Sequence, residues 1–296
     1  MFRTTRVIFF LAIILISVNS SAQNFFEKSD TLNLSRRNLI VGSTVGVGLT
    51  TIVVLNEMWY KDYPRNDFHF INDNSNWLQM DKFGHATTAY YMGSLGKKSF
   101  QWSGMSEKNA IWFGGSVGLV FLTTVEVLDG FSAEWGASWG DLVANTSGAA
   151  LFISQELIWH EQRIEMKFSY HPTSYAEQNP DLLGSSPLES IIKDYNGQTY
   201  WLSVNPWSFA KDSKFPKWLS ISVGYGAEGM VHAEESVGGD GRYRQFLLSV
   251  DLKLSNIDTG SAFWNSVFDV INLIKIPAPA LEYNTKGEFK FHPIYF

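Results

Sequence analysis

Apolar and polar positions are organised differently on the two sides of residue 166. Before it, apolar residues run in long blocks; after it, they alternate with polar ones. The first block, "VIFFLAIILISV", comes after Arg3 and Arg6 and precedes the small residues of "SSAQ". That order describes a secretory signal at 1–22, with cleavage expected after Ala22. An uncleaved anchor helix is the alternative. A polar linker, 23–37, leads to "NLIVGSTVGVGLTTIVVLNEMW" at 38–59, uncharged as far as Glu57. It is long enough to cross a bilayer. Gly42 and Gly46 have the small-residue spacing that admits a second helix. A buried helix of a soluble bundle fits the same composition.

Residues 60–76 form a polar connection in which Asp73 and Asn74 could cap the next helix. The blocks then predict helices over 77–97, 107–128 and 138–165. Past 166 the pattern becomes that of strands. "HPTSYAEQNPDLLGSSP" is loop-like, and Asn196-Gly197 is a hairpin signal. "KWLSISVGYGAEGM" and "YRQFLLSVDLKLS" alternate with period two. "SAFWNSVFDVINLI" suits a short amphipathic helix, and "ALEYNTKGEFKFHPIYF" a closing hairpin turning at Lys286-Gly287. The expected fold is α+β. A helical module of about four helices, 38–165, is followed by an antiparallel, β-rich region, 166–296. The helices are either membrane-embedded or packed in a soluble bundle. Only five or six strands are visible, and small closed barrels need about eight. A complete barrel is therefore not expected, although Tyr295-Phe296 after an alternating strand resembles the end of an outer-membrane barrel.

Composition sharpens the location. Charged residues are few, at 18%, and aromatics many, at 15%. Trp and Tyr gather at membrane interfaces. The net charge of −6 and the lack of a basic stripe exclude nucleic acid as a partner. The chain has no cysteine, which removes disulfides, thiol catalysis and Cys-ligated metals. It also removes the residue that a lipid anchor would acylate.

The chemistry-bearing residues fall on the helices. Asp81 and His85 are four apart, Glu126 and Asp129 three apart, and Asp141 and Asn145 four apart, with Gly148 continuing that side and Gln155 further along. Residues so spaced share a helical face. Three helices would each present a polar stripe to the bundle interior. An unpaired buried carboxylate costs several kcal/mol, so these groups need partners. Asp81, His85, Glu126 and Asp141 are the candidate catalytic groups, with Lys82, Asp129, Asn145, Gly148 and Gln155 around them. A neutral imidazole beside carboxylates could act as an acid or base, bind a divalent ion, or hydrogen-bond structurally; Asp81 could simply cap its helix. No cofactor is expected, the divalent ion at His85 being the one alternative. Nucleophile signals are poor: there is no G-x-S-x-G, and Ser203, Ser220 and Ser222 are expected on a sheet surface. "GVGLTT" lacks a phosphate-loop lysine, and "GYGAEG" opens no helix.

The stretches "DKFGHATTAYY" and "EVLDGFSAEWGASWGDLVANTSGA" resemble the predicted periplasmic lipoproteins (domain of unknown function 2279). The pattern D-K-x-x-H, with D-x-x-x-N-x-x-G later in the chain, is similar to the VanZ-like membrane proteins over 77–160. The first resemblance runs on through "KDYNGQTYWLSVNPWSF" and "PKWLSISVGYGAEGM". The positions it matches are Asp81, Lys82, His85, Glu126, Asp141, Asn145 and Gly148. Neither family carries an activity to transfer. Together these readings imply an exported, membrane-associated, periplasm-facing envelope protein of a Gram-negative bacterium, with membrane lipid as a partner and a protein partner open. A role in envelope or lipid homeostasis is expected. The alternatives are an enzyme on a lipid or amphipathic substrate with a His/Asp acid–base site, or an accessory subunit of an outer-membrane assembly.

Overall fold

The structure, a computed structural model, describes residues 25–61, 63–234 and 241–296. The signal expected at 1–22 lies outside them. Helix α1, Leu34–Leu55, is capped by Asn33, whose side chain accepts from the Arg36 amide. A wider helical turn continues it to Tyr60. Only Ile40 of α1 is buried. A Cβ added at Gly42 or Gly46 would touch nothing, so no described helix uses that small-residue face.

Helix α2, Met80–Trp102, is the centre of the bundle, packed by α3 (Glu107–Gly115), α4 (Val117–Asp129) and α5 (Trp139–Trp159). Small residues set the spacing. Gly96 lies on Gly114, Gly118 on Ala89, and a Cβ at Gly148 would sit 2.0 Å from the Ala86 carbonyl oxygen.

The helix limits depart from the sequence expectation in three places. The helix expected from residue 77 begins at Met80, because Trp77, Leu78 and Gln79 are left-handed, with φ of 48°, 50° and 67°. Each such residue costs roughly 1–2 kcal/mol when it is not glycine. Contacts from the second half of the chain hold the turn. The Tyr225 hydroxyl donates to the Leu78 carbonyl at 2.5 Å, Arg244 to Gln79 Oε1 at 2.9 Å, and the Trp77 amide to the Ala233 carbonyl at 2.9 Å. The helix expected over 107–128 is two, breaking at Ser116 after Gly114-Gly115. The helix expected to reach 165 stops at Trp159, and His160 is left-handed with φ of 56°. There the Gln155 side chain accepts from the Arg163 and Ile164 amides and turns the chain into the sheet.

Strands β1 (Phe70–Ile71) and β2 (Ala137–Ser138) pair in parallel and tie the loop before α2 to the start of α5. The remaining strands form one antiparallel meander in chain order: β3 (Ile164–Tyr170), β4 (Gln198–Val204), β5 (Leu219–Glu228), β6 (Tyr243–Leu252), β7 (Ala278–Asn284) and β8 (Phe289–Tyr295). The observed class is α+β, with helices concentrated in the N-terminal half. The hairpin expected at Asn196-Gly197 does not form. Residues 171–197, including the short helices α6 (Pro180–Leu183) and α7 (Pro187–Lys193), join β3 to β4. Asn196 is buried and bonded to Asp194 and to the Met230 backbone. The Lys286-Gly287 turn does join β7 to β8, with Gly287 at φ +83°. A four-residue helix, α8 (Pro206–Phe209), comes after β4, and the amphipathic α9 (Ala262–Ile271) precedes β7.

The sheet curls. The Thr199 hydroxyl of β4 and the Tyr295 hydroxyl of β8 lie 3.1 Å apart on its inner side. The edge of β3 bonds to residues 273–275 through Phe168, not to β8. Ser203, Ser220 and Ser222 are buried on the inner face, against their expected place on the sheet surface.

Candidate functional site

The site forms where α2, α4 and α5 converge under the β1–β2 pair. Four stretches supply it: the loop after β1, the first turns of α2, the last turn of α4 and the start of α5. Ser138 starts α5 as its N-cap, its hydroxyl accepting from the Asp141 amide at 3.1 Å. The same hydroxyl donates to Asp73 Oδ1 at 2.5 Å, and the Ser138 amide donates to Glu126 Oε2 at 2.8 Å. One capping residue thus connects a loop, α4 and α5.

Lys82 is the electrostatic centre. Its Nζ lies 2.7 Å from Asp73, 2.8 Å from Asp81 and 2.9 Å from Asp141. Burial alone would lower the lysine pKa, but the surrounding carboxylates outweigh it and hold it above its ordinary value. The ammonium occupies the space among three aspartates that could otherwise take a metal ion. Burial raises Asp81 to about 6 in spite of Lys82, with further contributions from Asp141 and Asp73.

His85 lies one turn further along α2. Its Nδ1 is 3.0 Å from Asn145 Oδ1. The amide oxygen can only accept, so Nδ1 carries the proton and Nε2 keeps its lone pair in the neutral ring. Nε2 faces Asp141 Oδ1 at 3.8 Å. That oxygen is buried and has no hydrogen-bond partner among the described residues. Glu126 Oε1 is 3.8 Å from Nδ1. Burial pushes Glu126 up to about 8; the Ser138 amide opposes this, while Asp141 and Asp129 add to it. Asp129 is likewise raised to about 6, first by burial, against the hydrogen bond it accepts from Tyr60. Near neutral pH the site therefore holds one protonated carboxyl, Glu126, beside the ring.

The cluster is open to solvent. It lines a cleft of about 350 Å³ with Trp77, Trp135, Tyr195 and the edge of His85; the His85 side chain is 24% exposed. Asp81, Lys82, His85, Glu126, Asp141 and Asn145 are joined by the contacts above, and Asp129 lines the same cleft. Gly148 brings no side chain to the cluster. It lets α5 meet the α2 backbone at Ala86, next to His85. Gln155 is elsewhere: fourteen residues beyond Asp141, about 21 Å along the helix, it caps the turn into β3. Asp73 and Ser138 belong to the site although sequence spacing does not point to them. The only signal was Asp73 as a capping candidate, and its partners lie on other elements.

An α+β chain with a charged, solvent-reachable cluster inside a helical bundle defines the class to which this protein is compared. Residues 67–155, which carry the whole of that cluster, match the family model described as Predicted periplasmic lipoprotein (DUF2279). That description associates the matched segment with exported proteins of the cell envelope. No curated protein and no solved structure matches the chain.

Proposed function

We propose that this chain is an exported, membrane-associated envelope protein whose bundle carries an acid–base site centred on His85, acting on a neutral or cationic amphipathic substrate in envelope or lipid homeostasis. The observation that carries the reading is the opposition of His85 Nε2 to the unbonded Asp141 Oδ1 in an open cleft. Nε2 is the base. On taking a proton it becomes an imidazolium beside a carboxylate already held by Lys82. Asn145 fixes the ring's tautomer, and the protonated Glu126 is a proton source on the opposite side. Asp73, Asp81, Asp129, Glu134 and Asp181 also line the cleft. Its field repels an anionic headgroup and favours a neutral or positive one.

The test is complementation of a deletion strain, with the envelope lipids of each strain compared by mass. His85→Gln and Asp141→Asn are expected to fold and to fail to restore the wild-type lipid profile. A folded His85→Gln chain that restores it completely refutes the acid–base reading.

A second reading places a divalent cation on His85, Glu126 and Asp141. Each offers one ligand atom, all within 4.8 Å of one another, and Asp141 Oδ1 is unbonded. Calorimetric titration with zinc or manganese separates the two readings: saturable binding abolished by His85→Gln supports the cation, and no heat at millimolar metal rejects it.

A further inference from the structure

The two faces of the six-stranded sheet are reversed relative to a sheet that stands in water. Register places Lys167, Ser203, Ser222, Asp251 and Glu282 on the inner face of the curl. Lys167 and Asp251 form a 2.8 Å ion pair with both side chains fully buried, and Ser203 donates to Asp251 at 2.8 Å. Glu282 is buried against His292 at 2.8 Å. The alternate positions point outward and are apolar: Val223 is 52% exposed, Leu248 49%, Leu281 55% and Phe291 63%. A half-solvated antiparallel sheet buries its apolar face and wets its polar one. Apolar-out and polar-in is the order of strands whose solvent is lipid.

We infer that the outer face of β5 to β8 lies in the acyl-chain layer of a membrane, with the polar inner face as its sealed core. The helices cover only one end of this face, where Phe83 of α2 stacks on Tyr225 at 4.6 Å. Beyond that, no described residue covers it. The two longest strands have the length a bilayer requires, and β7 and β8 are shorter, at 7 residues each. Strands β5 and β6 have 10 residues each, and a tilted strand of about 9–11 crosses the hydrocarbon. Helix α1 has 22 residues, is apolar and is 6% buried over its apolar window, and about 20 residues are needed to cross. Two unrelated elements thus leave apolar surface of the same length uncovered. A second copy of the chain is a poorer fit. The curl makes the outer face convex, and two convex faces touch along a line, leaving most of both in water. Acyl chains conform to either shape.

This inference rests on the membrane association in the proposed function, not on the acid–base site. The chain's lack of cysteine makes the test clean. Phe246→Cys, Leu248→Cys and Val250→Cys are made singly in the full chain and labelled with bimane. Lys214→Cys and Lys286→Cys, in the loop before β5 and the β7–β8 turn, are the controls. Each protein is reconstituted into phosphatidylethanolamine/phosphatidylglycerol vesicles with brominated acyl chains, and its fold is checked by circular dichroism. Loss of fluorescence at 246, 248 and 250 but not at 214 and 286 is expected. Protein that floats with the vesicles while its strand labels stay bright overturns insertion of the sheet and leaves association through α1 standing. Excimer emission between pyrene labels at 248 on different copies, without bromine quenching, overturns it in favour of self-association.

Discussion

Glu126→Gln should stabilise the protein, increasingly as pH rises from 4.5 to about 8. Glu126 is 2% exposed and is raised from 4.5 to about 8, chiefly by burial. The sign comes from proton counting. Between those values the unfolded chain has released the proton and the folded chain retains it. The folded state then binds more protons, so stability falls as pH rises. Each pH unit in that window costs about 1.4 kcal/mol. Asp81 and Asp129, both raised to about 6, act in the same direction but have finished by then. The interval from pH 6.5 to 8 therefore isolates Glu126 and is worth at most about 2 kcal/mol; water in the cleft reduces this to about 1. Glutamine keeps the side-chain oxygen that accepts from the Ser138 amide and cannot ionise. Urea unfolding in detergent, monitored by tryptophan fluorescence at several pH values, reads the effect. The wild type should weaken from pH 6.5 to 8 and the variant should do so less. Parallel profiles, or a wild type that strengthens with pH, would refute the assignment of a retained proton to Glu126.

Three other substitutions probe separate parts of the molecule. Lys82→Met removes the cation from among Asp73, Asp81 and Asp141; stranding buried carboxylates should cost about 3–5 kcal/mol in the same unfolding assay, and a near-neutral result would mean water already screens them. Gly148→Ala puts a methyl group 2.0 Å from the Ala86 carbonyl oxygen. Separating α5 from α2 should cost about 1–3 kcal/mol and shift the His85 ring resonances, because Asn145 moves with α5. His160→Gly relieves a left-handed residue at the end of α5. The exposed pair with Glu107 that it loses is worth little, so the melting temperature should rise, corresponding to a gain of up to about 1 kcal/mol; a fall would place the stabilisation in that ion pair.

Much of the architecture was legible because it is encoded locally. Alternation over 217–230 and 243–255 marked β5 and β6 correctly, since side chains on a strand repeat every two residues whatever they later face. The spacing of Asp81 to His85 and of Asp141 to Asn145 likewise put each pair on one helical face. Which side of each strand would meet water was misjudged, with Ser203, Ser220 and Ser222 expected on the surface and found buried: alternation has the same period when the polar face is sealed inside a curl. The sequence was silent on the left-handed turn at 77–79, since no glycine stands there and the bonds that hold it come from Ala233, Tyr225 and Arg244, about 150 residues away.

By itself, then, the sequence determined the division into helices and strands, the lack of thiol chemistry and the polar stripe on each helix, all set by neighbours within a turn or two. Only the tertiary structure decided that Lys82 sits among three aspartates, that Ser138 links Asp73 to Glu126 and Asp141, that Gln155 lies at the other end of α5, and that the sheet turns its charges inward. Those outcomes depend on helix crossings and strand register. Both are fixed by the sum of many weak contacts between distant segments, a quantity that no local spacing carries.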